Sequence, residues 1–303
     1  MNVLITTHNW DADNSLALLA ERLGGRAFYT TGPGWGGYTR GPFRNPRIGR
    51  MTVDEFRAGK ADLVIGTSQH NREALVKIAS EVGVPYVHSP ERFREWELFY
   101  DMGVRYILNM SGDDPGKLIS ARYHPEIEWA DPSQKKVPRS VVSCQARIHE
   151  LSAARFTEVK DALGPDWTAK EYGTDGRDGG IPSCEEVQKT LNKTAFLLHH
   201  KPAGDSYGFV FHRAMAAGCP VILPYRIFES KRSRTALSKC IDGVTSFNSE
   251  APVEDIVRWM NQVADNYEEH SLEVQRVYKE HCDYDREFHE NLEPLIQRAI
   301  SEQ

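Results

Sequence analysis

Residues 196–224 read FLLHHKPAGDSYGFVFHRAMAAGCPVILP, and the rest of the chain follows the pattern they set. The apolar start predicts a buried strand, and the glycines and proline that follow predict a loop. A short helix carrying Ala214, Met215 and Ala217 then leads into a second apolar strand. A strand, a glycine loop, a helix and a strand form the repeating unit of a parallel sheet, so we expect an α/β fold.

Gly208 ends the predicted loop. A glycine lets the backbone approach a ligand closely, and the free N–H groups that open the next helix can hold an anion. The spacing therefore predicts a phosphate site at the start of this helix. An ordinary strand-to-helix turn that needs a glycine has the same spacing, so the glycine alone leaves both interpretations open.

Residues 207–222, YGFVFHRAMAAGCPVI, resemble the nucleotide-sugar loop of retaining GT-B glycosyltransferases, the group that includes glycogen synthases and sucrose synthases. The resemblance implies a GT-B fold of two Rossmann-like domains whose parallel sheets face a central cleft. It implies an acceptor held mainly by the first domain and a nucleoside-diphosphate sugar, which we expect to be UDP-linked, held mainly by the second. It also implies transfer of the sugar to a hydroxyl with retention of anomeric configuration.

The family has an acidic residue before this loop and a second one on the helix, where this chain has Asp205 and Arg213. The resemblance implies that Asp205 contacts the donor sugar. In the family the second acid accepts hydrogen bonds from the ribose diol. A guanidinium cannot accept those hydroxyl protons, so donor recognition at Arg213 must differ. The donor-binding residues implied by the loop are Tyr207, Gly208, Phe209, Val210 and Arg213.

Residues 139–147 predict a strand that ends at Arg147, where the family keeps an arginine on the donor diphosphate. A guanidinium neutralises charge that grows on a departing nucleoside diphosphate, so we expect no metal and no cofactor besides the nucleotide sugar itself. A surface arginine is the alternative. The lysine that the family adds five residues later is replaced by Ser152, so a second cation would have to come from Arg155, Lys201 or another residue.

Short apolar strands alternate with helices through the first 120 residues, as in the strand at 62–67 and the helix at 72–82. This alternation is typical of a parallel sheet and resembles the N-terminal domain of the same family. In that family a histidine after a strand faces the donor sugar, and by order along the chain His88 is its equivalent, with a catalytic role. A lone histidine is more often structural, and both roles stay open.

Residues 32–53 break this alternation, and we predict an exposed loop. The stretch contains no acidic residue and combines aromatic with basic side chains, namely Trp35, Tyr38, Phe43, Arg40, Arg44, Arg47 and Arg50. Arginines between aromatic rings suit a nucleic acid, because they can hold its phosphates while the rings stack on its bases. We therefore hypothesise that Trp35, Tyr38, Arg40 and Arg44 bind the acceptor. A solvated loop whose rings pack onto the domain is the alternative.

The acceptor hypothesis is a hydroxymethylated pyrimidine in DNA, flipped out of the stack as in the modification of DNA by viral glucosyltransferases. Two other interpretations remain open. The same fold could transfer sugar to a saccharide, a lipid-linked or a small-molecule acceptor, or a degenerate protein could bind a nucleotide or nucleic acid without turnover.

The composition bounds the number of domains and the cellular compartment. The chain has 303 residues, which is enough for two domains, and we place them at 1–137 and 138–270, with a closing helix at 271–303 that returns to the first domain.

Five dispersed cysteines without a C-x-x-C pair indicate a reducing compartment, with the cytoplasm as the expected location. A net charge of -6 argues against non-specific coating of nucleic acid. No apolar run reaches the roughly 18 residues of a membrane span.

Overall fold

The computed structural model divides the chain into two units. It describes residues 1–5, 10–31, 47–67, 72–90, 95–110, 112, 116–125, 130–134, 136–180, 184–205, 207–230 and 234–302. Unit 1 comprises Met1–Glu126 and Asp283–Gln303, and unit 2 comprises Ile127–Cys282. The predicted boundaries lie at 137/138 and 270/271.

Unit 1 is a doubly wound α/β unit. Along the chain its elements before residue 126 are β1 (Asn2–Ile5), α1 (Trp10–Arg22), β2 (Arg26–Thr31), β3 (Ile48–Thr52), α2 (Val53–Arg57), β4 (Leu63–Thr67), α3 (Arg72–Val82), β5 (Tyr86–Ser89), α4 (Trp96–Asp101), β6 (Tyr106–Asn109) and β7 (Ile119–Arg122). Their described residues form a sheet of seven parallel strands in the order β3-β2-β1-β4-β5-β6-β7. The strand order reverses between β1 and β4, as in nucleotide-binding folds.

The predicted strand at 62–67 and helix at 72–82 are confirmed by β4 and α3. Every residue of β4, which reads LVIGT, is buried. A strand in the middle of a parallel sheet is covered by helices on both faces, so its sequence is apolar throughout rather than alternating. This is why the sequence identified the strand.

The prediction of a loop across residues 32–53 is wrong for residues 48–53. Ile48–Thr52 form β3, which pairs with β2, and Val53 begins α2. Met51 is 4% exposed, whereas Arg50 is on the exposed side. An edge strand tolerates charged side chains on its solvent face, so the arginines concealed a strand.

Unit 2 is a second parallel α/β unit. Its elements are β8 (Val137–Arg147), α5 (Glu150–Ala162), β9 (Thr168–Thr174), α6 (Cys184–Lys193), β10 (Thr194–Leu198), α7 (Phe209–Ala216), β11 (Val221–Leu223), α8 (Tyr225–Ser230), α9 (Arg234–Leu237), β12 (Ser246–Asn248), α10 (Val253–Asp265) and α11 (Tyr267–His281). The described strands form a five-stranded parallel sheet in the order β12-β11-β10-β8-β9. Phe211 and Val274 pack on one face of this sheet, and Phe156 and Met260 pack on the other.

The sheet of unit 2 has a point where the strand order reverses. From β8 the chain continues to β9 on one side, whereas β10 leads to β11 and β12 on the other side. Ligands of open α/β sheets bind beyond the carboxyl ends of the strands that flank such a point. Here those ends are Arg147 of β8 and Leu198 of β10.

The C-terminal helices belong to unit 1. They are α12 (Tyr284–Glu287) and α13 (Glu293–Ser301), with a π-helical turn at Phe288–Leu292 between them. Leu292 and Ile296 are fully buried and form part of the apolar side of this segment.

Glu287 fastens this segment to the end of β7. Its Oε2 accepts a hydrogen bond from the His124 N–H at 3.2 Å, and its Oε1 lies 3.2 Å from His124 Nε2 and 3.4 Å from Arg122 Nε. Glu287 is only 4% exposed. The buried carboxylate therefore accepts from the backbone of His124 and lies beside two basic side chains of unit 1.

We expect Glu287→Ala to lower the free energy of unfolding of unit 1 by about 3 kcal/mol, because it removes one partner from a buried polar cluster. Urea unfolding of the full chain measures this loss. Glu290→Ala changes an exposed carboxylate of the same helical segment and should cost under about 0.5 kcal/mol. Equal losses in the two variants would contradict the fastening role.

Candidate functional site

The loop between β10 and α7 ends in a left-handed glycine. Gly208 is the N-cap residue of α7, with φ +80° and ψ +66°. An L residue with a side chain is strained in this conformation, which explains the glycine. Among the described residues no side chain caps the helix, and its first turn contains no acidic residue.

The N–H groups of Phe209, Val210 and Phe211 open α7. The first hydrogen bond of the helix joins the His212 N–H to the Gly208 carbonyl at 3.0 Å, so these three earlier amides have no acceptor within the helix. The positive end of the helix dipole adds to their partial charge. The start of α7 therefore has the amides that an anion site needs, and binding of a phosphate there stays a prediction.

Asp205 lies beside this helix start. A Cβ atom on Gly208 would lie 3.5 Å from Asp205 Cβ and 3.8 Å from its Oδ2. The Asp205 side chain is 18% exposed. The structure thus brings the predicted sugar-binding acid and the predicted anion-binding amides together.

Two basic side chains, His199 at the end of β10 and Lys201 of the loop, contact the Asp205 carboxylate. His199 Nε2 is 2.7 Å from Oδ2, and the Lys201 ammonium donates to Oδ1. Burial by itself would raise the pKa of Asp205, but the hydrogen bond from His199 and the charges of His199 and Lys201 lower it below its ordinary value. Asp205 is therefore ionised at neutral pH, and an ionised carboxylate only accepts hydrogen bonds, so His199 donates through Nε2.

The residues around the start of α7 differ in how much they are exposed. Phe209 and Val210 are partly exposed, whereas the Tyr207 ring is 3% exposed and stacks on His212 at 3.9 Å between ring centroids. The Tyr207 side chain thus packs inside unit 2. Contacts of Tyr207, Phe209 and Val210 with a donor stay predictions.

Arg213 lies in the interior of unit 2. It is 2% exposed, and its Nη1 donates to Gln188 Oε1 of α6 at 3.3 Å. Burial lowers the pKa of Arg213 to about 10, so the guanidinium is still charged at neutral pH. A contact between Arg213 and the donor stays a prediction.

Arg147 is the last residue of β8, at the reversal point of the sheet, and its side chain lies outside the described residues. Ser152, which replaces the second cation of the family, is 1% exposed. Arg155 does not offer a free guanidinium, since it donates to the Ser249 carbonyl at 2.7 Å and to Glu158 at 2.7 Å. Of the two named substitutes, Lys201 is the one beside Asp205.

The other predicted site residues belong to unit 1. His88 is fully buried, stacks on Phe99 at 3.6 Å and has its Nδ1 3.5 Å from the Tyr86 hydroxyl. This packing favours the structural alternative, and a catalytic role stays a prediction. The predicted acceptor residues Trp35, Tyr38, Arg40 and Arg44 lie outside the described residues.

His199 is the residue that the sequence predictions missed. It directly follows β10, at the carboxyl edge of the sheet, and this position is a signal that could have identified it. Its distance of six residues from Asp205 gave no indication that the two side chains meet.

The described residues contain no cluster of three or more histidine, cysteine, aspartate or glutamate side chains that could hold a metal ion. Among them, no helix combines the length and the apolar character needed to cross a membrane.

No family model and no curated protein matches this sequence. Solved structures do match over nearly the whole chain. HepE of Anabaena, solved with UDP and glucose, has a TM-score of 0.70 at 12% identity, and the match covers 100% of both chains. A glycosyltransferase from Rickettsia africae has a TM-score of 0.68 at 9% identity, covering 98% of both chains. UGT2 of Phytolacca americana, solved with UDP-2fluoro-glucose and pterostilbene, has a TM-score of 0.58 at 10% identity, covering 100% of this chain and 98% of that one.

The chain therefore has the GT-B fold of glycosyltransferases, as predicted. Identities this low establish the fold alone, and function has to be argued from the site.

Proposed function

We propose that this protein is a glycosyltransferase that uses a UDP-linked sugar as its donor. The observation that carries the proposal is the uncapped start of α7 at Gly208, next to the ionised Asp205, at the carboxyl edge of the unit 2 sheet. Amides without a helical acceptor suit a diphosphate, and a carboxylate beside them suits sugar hydroxyls. HepE, which shares the fold, was solved with UDP-glucose, and this favours uridine as the nucleoside.

The proposed reaction separates charge at the diphosphate. The bond between the anomeric carbon and the diphosphate oxygen breaks, and the sugar passes through an oxocarbenium-like state. The acceptor hydroxyl bonds to the anomeric carbon, and its proton passes to the leaving diphosphate. The amides of α7 and the Arg147 guanidinium stabilise the leaving UDP. Asp205 holds the sugar in position for this step.

We propose that transfer requires no metal ion, because amide dipoles and a guanidinium supply the positive charge at the diphosphate. Turnover in about 5 mM EDTA, a concentration well above that of trace metals, is therefore expected to equal turnover in buffer alone within about twofold. Loss of turnover in EDTA and recovery with added Mg²⁺ or Mn²⁺ would contradict this prediction.

A panel of nucleotide sugars tests the proposal. The protein is incubated with UDP-, GDP- and ADP-sugars in the presence of saccharide and small-molecule acceptors, and both released nucleotide and product mass are measured. We expect nucleotide release from a UDP-sugar with matching gain of mass by an acceptor. Absence of binding and of release for every nucleotide sugar would contradict the proposed function.

The acceptor and the stereochemistry are finer proposals that rest on sequence. DNA with hydroxymethylated pyrimidines is the acceptor proposed from Trp35, Tyr38, Arg40 and Arg44. If it is correct, the panel with such DNA should show a mass gain, and DNA binding should weaken steeply with added salt and after Arg40→Ala. Salt-independent binding or transfer only to other acceptors would exclude DNA. Retention rests on the resemblance of residues 207–222, and NMR of the product anomer tests it.

A binding protein without turnover is the second candidate. The observations that favour it are the buried Arg213 in place of an acid and Ser152 in place of a lysine. In that case UDP should bind with a measurable heat, while no donor is hydrolysed or transferred above the buffer rate.

A further inference from the structure

His199 is held by the sheet of unit 2 rather than by the loop between β10 and α7. Its N–H donates to the Ile222 carbonyl of β11 at 2.7 Å, and its ring packs edge-on against Phe228 of α8 at 6.0 Å between centroids. The residue is 3% exposed. Its imidazole is therefore a fixed point at the carboxyl edge of the unit 2 sheet.

Asp205, in contrast, is carried by the loop. A turn closes between Lys201 and Gly204, where the Gly204 N–H donates to the Lys201 carbonyl at 2.8 Å, and Gly204 has φ +66°. Lys201 reaches Asp205 from this same turn, and its side chain is 38% exposed. Lys201 can therefore neutralise Asp205 but does not connect it to the sheet, because both residues belong to the loop.

The hydrogen bond from His199 connects the Asp205 carboxylate to the sheet. Its Nε2 lies 2.7 Å from Oδ2 of Asp205, which is the oxygen near the start of α7, 3.8 Å from where a Cβ of Gly208 would lie. A hydrogen bond to one oxygen and an ammonium on the other set the rotation of the carboxylate plane. The lone pairs that remain then have a defined direction.

We propose that His199 is a positioning residue, which orients the Asp205 carboxylate toward the hydroxyls of the donor sugar next to the diphosphate-binding start of α7. This inference rests on the proposed function, since it assigns a part to His199 in the same donor site. A carboxylate that must act as an acceptor at one place gains from a rigid partner behind it.

The arrangement differs from a packing role in one respect. His199 Nδ1 is buried, and it has no hydrogen-bond partner among the described residues. A polar atom buried in this way costs free energy that an apolar side chain of similar size would not. The histidine is explained by what its other nitrogen does, which is to donate to Asp205.

The test compares three variants with the wild-type protein. His199→Leu removes the donor, whereas His199→Gln keeps an N–H group that can reach the place of Nε2. His200→Leu is the matched control, because His200 is the next residue, is partly buried and hydrogen bonds Ser249 Oγ at 2.8 Å instead of Asp205. Affinities for UDP and for UDP-glucose are measured by calorimetry, and kcat and KM are measured for donor turnover.

We expect His199→Leu to lower kcat for UDP-glucose on the order of tenfold or more, and its affinity for UDP to stay within about threefold of wild type. His199→Gln should recover most of kcat, and His200→Leu should match wild type. If His199→Leu does not fold, His199→Asn replaces it, since its shorter amide cannot reach Asp205.

Three outcomes would overturn the inference. Wild-type kcat in His199→Leu, or equal losses in His199→Leu and His199→Gln, would show that the hydrogen bond to Asp205 has no effect on the reaction. A wild-type protein that binds neither UDP nor UDP-glucose would overturn the proposed function, and the inference with it. The first two outcomes leave UDP binding intact, so the two failures are distinguishable.

Discussion

Gly208→Val is expected to weaken UDP binding about 100-fold. Val cannot adopt φ +80° without strain, so the backbone should rotate and turn the first amides of α7 away from the ligand. Loss of two hydrogen bonds to a charged phosphate, at about 1.5 kcal/mol each, corresponds to this change in affinity. Isothermal titration calorimetry with UDP measures it.

Gly243→Val is the matched control for the strain. Gly243 also has positive φ, at +76°, and a Cβ there would meet no atom within 4 Å. Both variants should therefore lose roughly 1–2 kcal/mol of stability from the backbone alone. Only Gly208→Val should lose UDP affinity, and equal affinities in the two variants would contradict an anion site at the start of α7.

Asp205→Asn is expected to lower donor turnover about 100-fold while UDP binds as in wild type or more tightly. The substitution removes the charge that His199 and Lys201 hold in place, so the sugar loses its fixed acceptor. The diphosphate loses nothing, and a negative charge near it disappears. Steady-state kinetics with a UDP-sugar and calorimetry with UDP separate the two effects.

The difference in stability between wild type and Asp205→Asn should also depend on pH in a defined direction. The pKa of Asp205 is lowered from its ordinary value of 3.8, so the ionised form stabilises the folded state above that value. This stabilisation is lost as the pH falls below 3.8 toward the folded pKa. The deficit of Asp205→Asn relative to wild type should therefore be full at neutral pH and shrink in acid.

A deficit in stability that is constant from pH 7 to acid would contradict the ionised pair. Unchanged turnover in Asp205→Asn would contradict the role of Asp205 in sugar binding. Asp242→Asn is a suitable control. The Asp242 carboxylate lies on the surface of unit 2, accepts a hydrogen bond from the Tyr225 hydroxyl at 3.1 Å and is outside the proposed site. Its turnover should equal that of wild type.

The sequence predicted those parts of the fold that depend on local pattern. β4 and α3 were visible because a central parallel strand is apolar throughout and a surface helix alternates with a period of 3.6. β2 and β3 were not visible. Residues Arg26–Thr31 mix polar and aromatic side chains, and β3 carries arginine at the sheet edge. Pairing of β2 with β1 and of β3 with β2 therefore decided their structure.

The same limit applies to the site. The neighbourhood of Asp205 and Gly208 was predictable because both lie on one short loop. The contact between His199 and Asp205 depends on how that loop folds back over β10, and the burial of Arg213 depends on the packing of α6 against α7. Periodicity and spacing contain neither contact, since both depend on tertiary structure.

A crystal structure with bound UDP tests the central claim most directly. We predict that diphosphate oxygens lie within about 3.2 Å of the amide nitrogens of Phe209 and Val210, with the Arg147 guanidinium on the same diphosphate. UDP bound with its diphosphate away from the start of α7 would contradict the claim.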